Sequence, residues 1–394
     1  MESYADRAGT VPTVASAPPP ATRRRLVGLD GIRGLAALFV VLHHCWLLSY
    51  PGFPDNSGPA WAGFLLYGHF AVVVFIVLSG FSLSVSPARH DWRLGSLRTF
   101  AYRRAWRILP PYWTALVFSL IVAWTLIPQP EQGSPTAKTV IFYGLLVQDL
   151  FGSPSPNGAF WSIAVEAQLY ITLPLMLLLI RRRFGAVTLL AAVTAIVAAI
   201  GLLAPRVPAV DLFMRLTPQF AVLFAIGAVA AGVVRTPDAP WTRWLPWAAL
   251  AAIIPALTLI IVNGSAWTVV NFYWVDLSIG PAVGLLLAAI ATGRPRPLVR
   301  MLDTWPLRKL GSFSYSLYLI HAPIVLVLSQ LVLVPRVSAE LPLFLSTLAL
   351  AVPVSVLAAW LFGSVFEIPF QRHRSWKALK QAYSKRGAEP APLS

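Results

Sequence analysis

Ten apolar stretches run through this chain, each near the length of about 20 residues that a helix needs to cross a bilayer. They fall near 32–50, 64–86, 109–128, 160–181, 185–204, 214–234, 245–263, 270–291, 312–334 and 342–365. Their number and length predict an all-α fold, a polytopic membrane helix bundle with about ten transmembrane helices. Composition agrees: 57% of the residues are hydrophobic and 12% charged, where a soluble domain is nearer a quarter charged.

The formal net charge of +16 raises nucleic acid as a partner, and the placement of that charge argues against it. Arginines gather in alternate connections: Arg23, Arg24 and Arg25, the segment 89–107, the run Arg181, Arg182 and Arg183, the loop with Arg235 and Arg243, and the stretch 294–309. The C-terminal tail, with Arg372, Arg374, Lys377 and Lys380, joins them. The opposite connections (51–63, 129–159, 205–213, 264–269, 335–341) hold few basic residues and several acids. The positive-inside rule then puts both termini in the cytoplasm. The expected location is a bacterial cytoplasmic membrane, crossed many times.

Residues 1–27 read as a disordered cytoplasmic tail, since no apolar core of a signal peptide follows their charges. Residues 28–370 form the membrane domain, and 371–394 a basic cytoplasmic tail. In the connection 129–159, rich in Pro, Gly and Ser, a short interfacial helix is expected at 139–151. Cys45 is the only cysteine, which leaves no intrachain disulfide and no Cys-based metal site; no metal is expected.

Polar groups at membrane depth are costly and mark places where a helix faces a bundle interior or a wet cavity. The first span opens on Asp30 and Arg33 and carries His43 and His44 deep inside it. At about 100° and 1.5 Å per residue, Arg33 and His44 share a face to within about 20° and stand roughly 16 Å apart along the axis, while His43 points about 80° away. A neutral, buried imidazole can serve as a general base toward an attacking hydroxyl, or simply as a hydrogen-bonded structural group. Cys45 beside it reads as a small buried hydrophobe or an acylated nucleophile.

Four further stretches carry polar residues. In RTFAYRRAWRILPPYW (98–113), Arg104 and Arg107 share a helix face with Arg103 beside them. They read either as topology and headgroup residues or as a phosphate clamp, because guanidinium forks bind phosphate bidentately. LSGFSLS (78–84) puts Gly80 next to Ser79, which suits close approach of a ligand or tight helix packing. In FWSIAVEAQLY, Ser162, Glu166 and Tyr170 form an i, i+4, i+8 stripe; Glu166 suits an ion pair with an arginine or a role in holding a substrate or orienting a base. In GSFSYSLYLIHAP, His321 lies at a depth like that of His44, above Ser314, Tyr315 and Tyr318. Glu367 reads as structural.

Taken together, LDGIRGLAALFVVLHH with its Arg-x10-His spacing, LSGF, the Arg-x-x-Arg pair in RRAWRILPPYW, FWSIAVEAQLY and SYSLYLIHAP resemble, in order, the acyltransferase-3 family of integral-membrane acyltransferases. The resemblance covers about residues 26–370. It implies transfer of an acyl group, commonly acetyl, from cytoplasmic acyl-CoA to a hydroxyl. The acceptor would be a carbohydrate, on a cell-envelope glycan or on a glycosylated natural product such as a macrolide. The family pattern carries its catalytic His and Arg onto His44 and Arg33, and its donor-associated pair onto Arg104 and Arg107.

These readings join in one expectation. Arg103, Arg104 and Arg107, with Ser79 and Gly80 nearby, bind the donor at a cytoplasmic mouth. His44 deprotonates the acceptor, Arg33 anchors the donor's arm, and Glu166 and His321 position the acceptor or tune the base. The competing expectation is a carrier that exports or flips an acylated or glycosylated lipid, for which broken helices and repeat symmetry would speak.

Overall fold

The computed structural model describes residues 26–373 and 375–381. Almost all of the expected N-terminal tail and most of the C-terminal one lie outside the described residues. Among the described residues, nine helices are long and apolar enough to cross a membrane. We label the spans α1 (Leu29–Ser49), α2 (His69–Arg89), α3 (Leu97–Thr125), α4 (Trp161–Ile180), α5 (Gly185–Leu203), α6 (the pair Pro208–Leu216 and Gln219–Arg235), α7 (Pro240–Val270), α8 (Phe272–Ala291), α9 (Ser314–Leu333) and α10 (Leu341–Phe366). Counting α6, which bends by 47° at its break, as one span makes ten. The all-α membrane bundle read from the apolar pattern is the observed fold.

Two boundaries differ from expectation, for local reasons. The second span starts at His69 rather than near 64, because Ala60–Tyr67 winds as a 3-10 segment first. The third begins at Leu97 rather than near 109. Ser96 caps it, its hydroxyl accepting from the Thr99 N–H at 3.4 Å, and Arg is a strong helix former. Helix therefore runs unbroken through the basic segment, which lifts Arg104 and Arg107 off a loop and onto a rigid rod. The expected interfacial helix at 139–151 appears as two pieces, Ala137–Gly144 and Gln148–Phe151.

The apolar side chains collect into two main cores. One is built by α2, α4, α6 and α8 around Phe81, Leu173, Phe220, Phe224 and Leu287. The other is built by α1, α3, α9 and α10 around Trp46, Tyr112, Leu317 and Phe344. Glycines let helices in each half approach backbone to backbone. Gly80 of α2 lies against the Phe224 carbonyl and Gly227 of α6 against that of Val77, so any side chain at either position would overlap a backbone. Gly34 of α1 and Gly311 meet in the same way in the other half. Without a hydrophobic force between helices in lipid, such small-residue contacts hold the pairs together. By contrast, α5 and α7 turn Val187, Ile196, Leu250, Ile254 and Ile261 outward, as helices apolar on every side do when lipid is their neighbour.

The 129–159 connection docks onto the bundle. Buried Asn157 donates to the Leu319 carbonyl at 2.8 Å and to Ser119 at 3.1 Å, and the Tyr112 hydroxyl donates to the Tyr143 carbonyl at 2.8 Å. Docking strands the carboxylate of Asp149, one of whose oxygens is buried with no hydrogen-bond partner among the described residues. Loss of water pushes its pKa up to about 6. The folded chain thus holds this proton more tightly than the unfolded one, and stability falls as pH rises through about 6. Below the ordinary carboxyl value of 3.8 the cost is absent. Asp149→Asn is expected to raise thermal stability at pH 8 by about 1 kcal/mol, discounted for partial exposure, and to change nothing below pH 3.8; melting curves in detergent at both pH values check this.

Candidate active site

Between the two cores lies a cavity of about 400 Å³. Its wall takes Asp30 and Arg33 from the first turns of α1, Ser79 and Ser82 from the last turns of α2, and Arg104 and Arg107 from the first turns of α3. The whole stripe Ser162, Glu166 and Tyr170 comes from α4, Ser314, Tyr315 and Tyr318 from α9, and Glu367 from just past α10. Most of these positions share the end of the bundle where α1, α3 and α9 begin and α2 and α10 finish. That is the end carrying the basic connections. Residues read from five separate stretches are therefore brought to one wall by five helices.

The charges in this cavity balance. Arg33, Arg104 and Arg107 face Asp30, Glu166 and Glu367. Arg33 is paired with Asp30 at 3.2 Å, one helical turn away. Among the described residues Glu166 takes no direct ion pair; instead the Ser79 hydroxyl donates to it at 2.6 Å and the Tyr170 hydroxyl at 2.5 Å. Glu367 accepts from the Ser316 N–H at 2.9 Å, the Ser316 hydroxyl at 2.6 Å and the Gln371 amide at 2.7 Å. A buried carboxylate needs donors or cations around it, and each has them.

The histidines stand beyond this wall, and neither His44 nor His321 lines the cavity. Ser162 and Tyr318, joined hydroxyl to hydroxyl at 2.6 Å, close its inner end. Behind Tyr318, His321 is fully buried with its Nδ1 at 2.8 Å from the Tyr318 carbonyl and 3.0 Å from that of Leu317. Carbonyls only accept, so Nδ1 carries the proton and Nε2 of the neutral ring is an acceptor. That Nε2 lies 3.3 Å from Nδ1 of His44, which also sits 2.9 Å from the Val40 carbonyl. His44 Nδ1 is by the same logic a donor to both. The proton-free nitrogen of His44 is Nε2.

The other sequence candidates take different places. His43, next to His44, donates through Nδ1 to the Leu65 carbonyl at 2.8 Å and packs under Gly68. Cys45 is buried among apolar side chains. Arg103 does not reach the main cavity; it lines an adjoining one of about 340 Å³ that shares Arg104, Ser82 and Leu83 with the first. Gly80 does not reach a cavity wall at all: it faces α6, where the absence of a Cβ serves helix packing. Among the described residues no group of three or more metal-ligating side chains comes together.

Sequence reasoning missed a second polar centre. Asp276 of α8, fully buried, lies with both carboxylate oxygens 2.9–3.0 Å from His69 Nε2 and accepts from the Gln219 amide at 3.3 Å. His69 is stacked on Phe272 with ring centroids 4.0 Å apart. The signal was available, as an acid in the apolar run WVDLSIG is an intramembrane charge that demands a partner. Glu367, read as structural, in fact also lines the cavity.

Fold and site together define a multi-pass membrane protein with a charge-balanced polar cavity and, behind it, a histidine pair of buried His321 and half-buried His44. The chain belongs to the acyltransferase-3 family, whose model, described as an acyltransferase domain, matches residues 26–360. It is 29% identical to acyltransferase MdmB of Streptomyces mycarofaciens over 317 residues, covering 75% of this chain and 78% of that one. It is 27% identical to the putative peptidoglycan O-acetyltransferase YrhL of Bacillus subtilis (77% of this chain, 49% of that one). To the peptidoglycan O-acetyltransferase OatA of Listeria monocytogenes it is 25% identical (77% and 50%). The chain thus spans about half the length of these two peptidoglycan O-acetyltransferases. No solved structure matches it.

The Ser79–Glu166–Tyr170 triangle is open to a direct test. Tyr170→Phe removes one of two donors from a half-buried carboxylate and is expected to cost about 1 kcal/mol of stability. Ser79→Ala should cost a similar amount, and the double variant should be non-additive, since both act on one acceptor. Thermal melting of the purified variants measures all three.

Proposed function

We propose that this protein is an O-acyltransferase that moves an acyl group, acetyl in the first instance, from acyl-CoA to a carbohydrate hydroxyl. The acceptor is an envelope glycan or a glycosylated natural product. Membership of an acyltransferase family and likeness to proteins named O-acetyltransferases support the reaction class. The observation that carries the mechanism is the geometry of His44, whose Nδ1 lies 2.9 Å from the Val40 carbonyl and 3.3 Å from His321 Nε2, an arrangement that supports Nε2 as the proton-accepting nitrogen.

The donor enters from the basic face, which the positive-inside rule makes cytoplasmic, and Arg104 and Arg107 hold its phosphate end. Its thioester reaches past the Ser162–Tyr318 closure, one side chain thick, toward the histidine pair. His44 Nε2 takes the proton of the acceptor hydroxyl as that oxygen attacks the thioester carbonyl carbon. The tetrahedral oxyanion collapses, the C–S bond breaks, and the CoA thiolate recovers the proton from the His44 imidazolium. The products are an ester, CoA thiol and the regenerated base. While His44 is cationic, its Nδ1–H bond to the His321 lone pair becomes charge-assisted and stronger. His321 is thus a positioning residue for the base. Arg33, fixed by Asp30, anchors the donor's arm, and Glu166, held by two hydroxyls, positions the acceptor.

Transport has less support. The break in α6 is the kind of discontinuity that carriers use, but no α6 residue lines the charged cavity.

In purified protein, His44→Ala is expected to lower CoA release from acetyl-CoA plus acceptor by about 100-fold or more, with insertion and melting unchanged. Wild-type turnover in that variant would end the general-base assignment. Arg104→Ala and Arg107→Ala are expected to raise the donor KM with little effect on kcat; unchanged donor KM would return them to topology alone. A wild-type protein that releases no CoA yet moves a glycolipid across vesicles would establish the carrier instead.

A further inference from the structure

The two adjoining cavities differ sharply in charge. The inner one balances three guanidinium groups with three carboxyl groups. The outer one, of about 340 Å³, is lined by Arg93, Arg103 and Arg104 together with Ser82, Ser86, Ser96 and Thr99, and by no Asp or Glu among the described residues. Beyond Arg104, which the two cavities share, Arg93 and Arg103 bring two guanidinium groups to walls that carry no Asp or Glu among the described residues, an arrangement relieved by a polyanion. The wall between the cavities carries a second sign of an absent partner. Nε of Arg104 and the hydroxyl of Ser82 are buried there with no hydrogen-bond partner among the described residues.

The far wall is held in place. The Trp92 N–H donates to the Pro87 carbonyl at 2.7 Å and the Arg93 N–H to that of His90 at 3.0 Å. Asp91 is tied to Arg235 at 3.1 Å. The turn that presents Arg93 is thereby anchored both to α2 and to the end of α6.

We propose that the outer cavity is a phosphate subsite that binds the ribose 3′-phosphate of the donor through Arg93 and Arg103, with the diphosphate at the junction on Arg104. The inference rests on the acyl-CoA reading of the main cavity and goes beyond it by dividing the donor between two chambers. Coenzyme A is linear: thioester arm, diphosphate, then a ribose bearing a further phosphate. Its uncharged arm suits the charge-balanced inner cavity, and its anionic end suits the uncompensated outer one. Each volume lies within the range of about 300–1,000 Å³ usual for ligand sites. Arg93, absent from every motif that identified the site, becomes a specificity-determining residue.

The experiment compares acetyl-CoA with 3′-dephospho-acetyl-CoA as donors for the purified full-length protein, in nanodiscs of neutral and of anionic phospholipid. The wild-type KM is expected to be about 10-fold or more higher for the dephospho donor, the loss of a charge-assisted contact, with kcat similar. In Arg93→Ala and in Arg103→Ala the ratio of the two KM values should fall toward one, while Arg93→Lys should retain part of it. Equal KM values in the wild type, with CoA released from one donor and 3′-dephospho-CoA from the other, would overturn the subsite and leave the acyltransferase reading standing. A ratio undiminished by either alanine variant would also overturn it. Discrimination in neutral discs that vanishes in anionic ones would assign the cavity to lipid headgroups, again overturning it. Thiol release from neither donor would remove the acyl-CoA reading together with the subsite.

Discussion

Three guanidinium groups inside a membrane bundle are tolerable only because three carboxyl groups stand opposite them. Removing unpaired charges from water costs far more than helix packing returns. Arg33, Arg104 and Arg107 come from α1 and α3, while Asp30, Glu166 and Glu367 come from α1, α4 and the turn after α10. The cavity therefore acts as a clasp between the two apolar cores. Each carboxyl group is in turn positioned by hydroxyl, amide or guanidinium donors: Ser79 and Tyr170 on Glu166, Ser316 and Gln371 on Glu367, Arg33 on Asp30. Only Arg33 and Asp30 form a direct ion pair among the cavity's charged groups in the described residues, and Arg104 and Arg107 balance the remaining carboxyl groups at longer range.

That arrangement keeps the charged chamber apart from the histidine pair. The charged chamber ends at Ser162 and Tyr318, and the histidine pair lies on the far side of Tyr318. Tyr318 belongs to both places, with its hydroxyl on the cavity wall and its main-chain carbonyl fixing the tautomer of His321. His44 is held by the Val40 carbonyl and by the His321 ring, and neither histidine lines the chamber that holds the guanidinium groups.

Much of this was legible from the chain. The stripe Ser162, Glu166 and Tyr170 came from helical spacing alone, and all three residues line the cavity. His44 was separated from His43 by its angle to Arg33, and it is His44 that meets His321, while His43 turns to the Leu65 carbonyl. What failed to appear was anything set by contacts between distant segments. Gly80 looked equally suited to a ligand or to a neighbouring helix, and only the approach of Phe224 on α6 decides for the helix. Arg103, Arg104 and Arg107 looked like one ring, yet they are divided between two chambers with Arg104 shared. Asp276 and His69, 207 residues apart, could not be paired from spacing at all.

By itself the sequence determined the helices, their approximate number, and the polar faces of α1, α3, α4 and α9, because lipid forces every backbone hydrogen bond to close within its own segment and makes buried charges conspicuous. The tertiary structure alone decided which polar faces meet. Helix rotation, tilt and the few glycine contacts that let backbones touch are long-range packing outcomes, and no local periodicity encodes them.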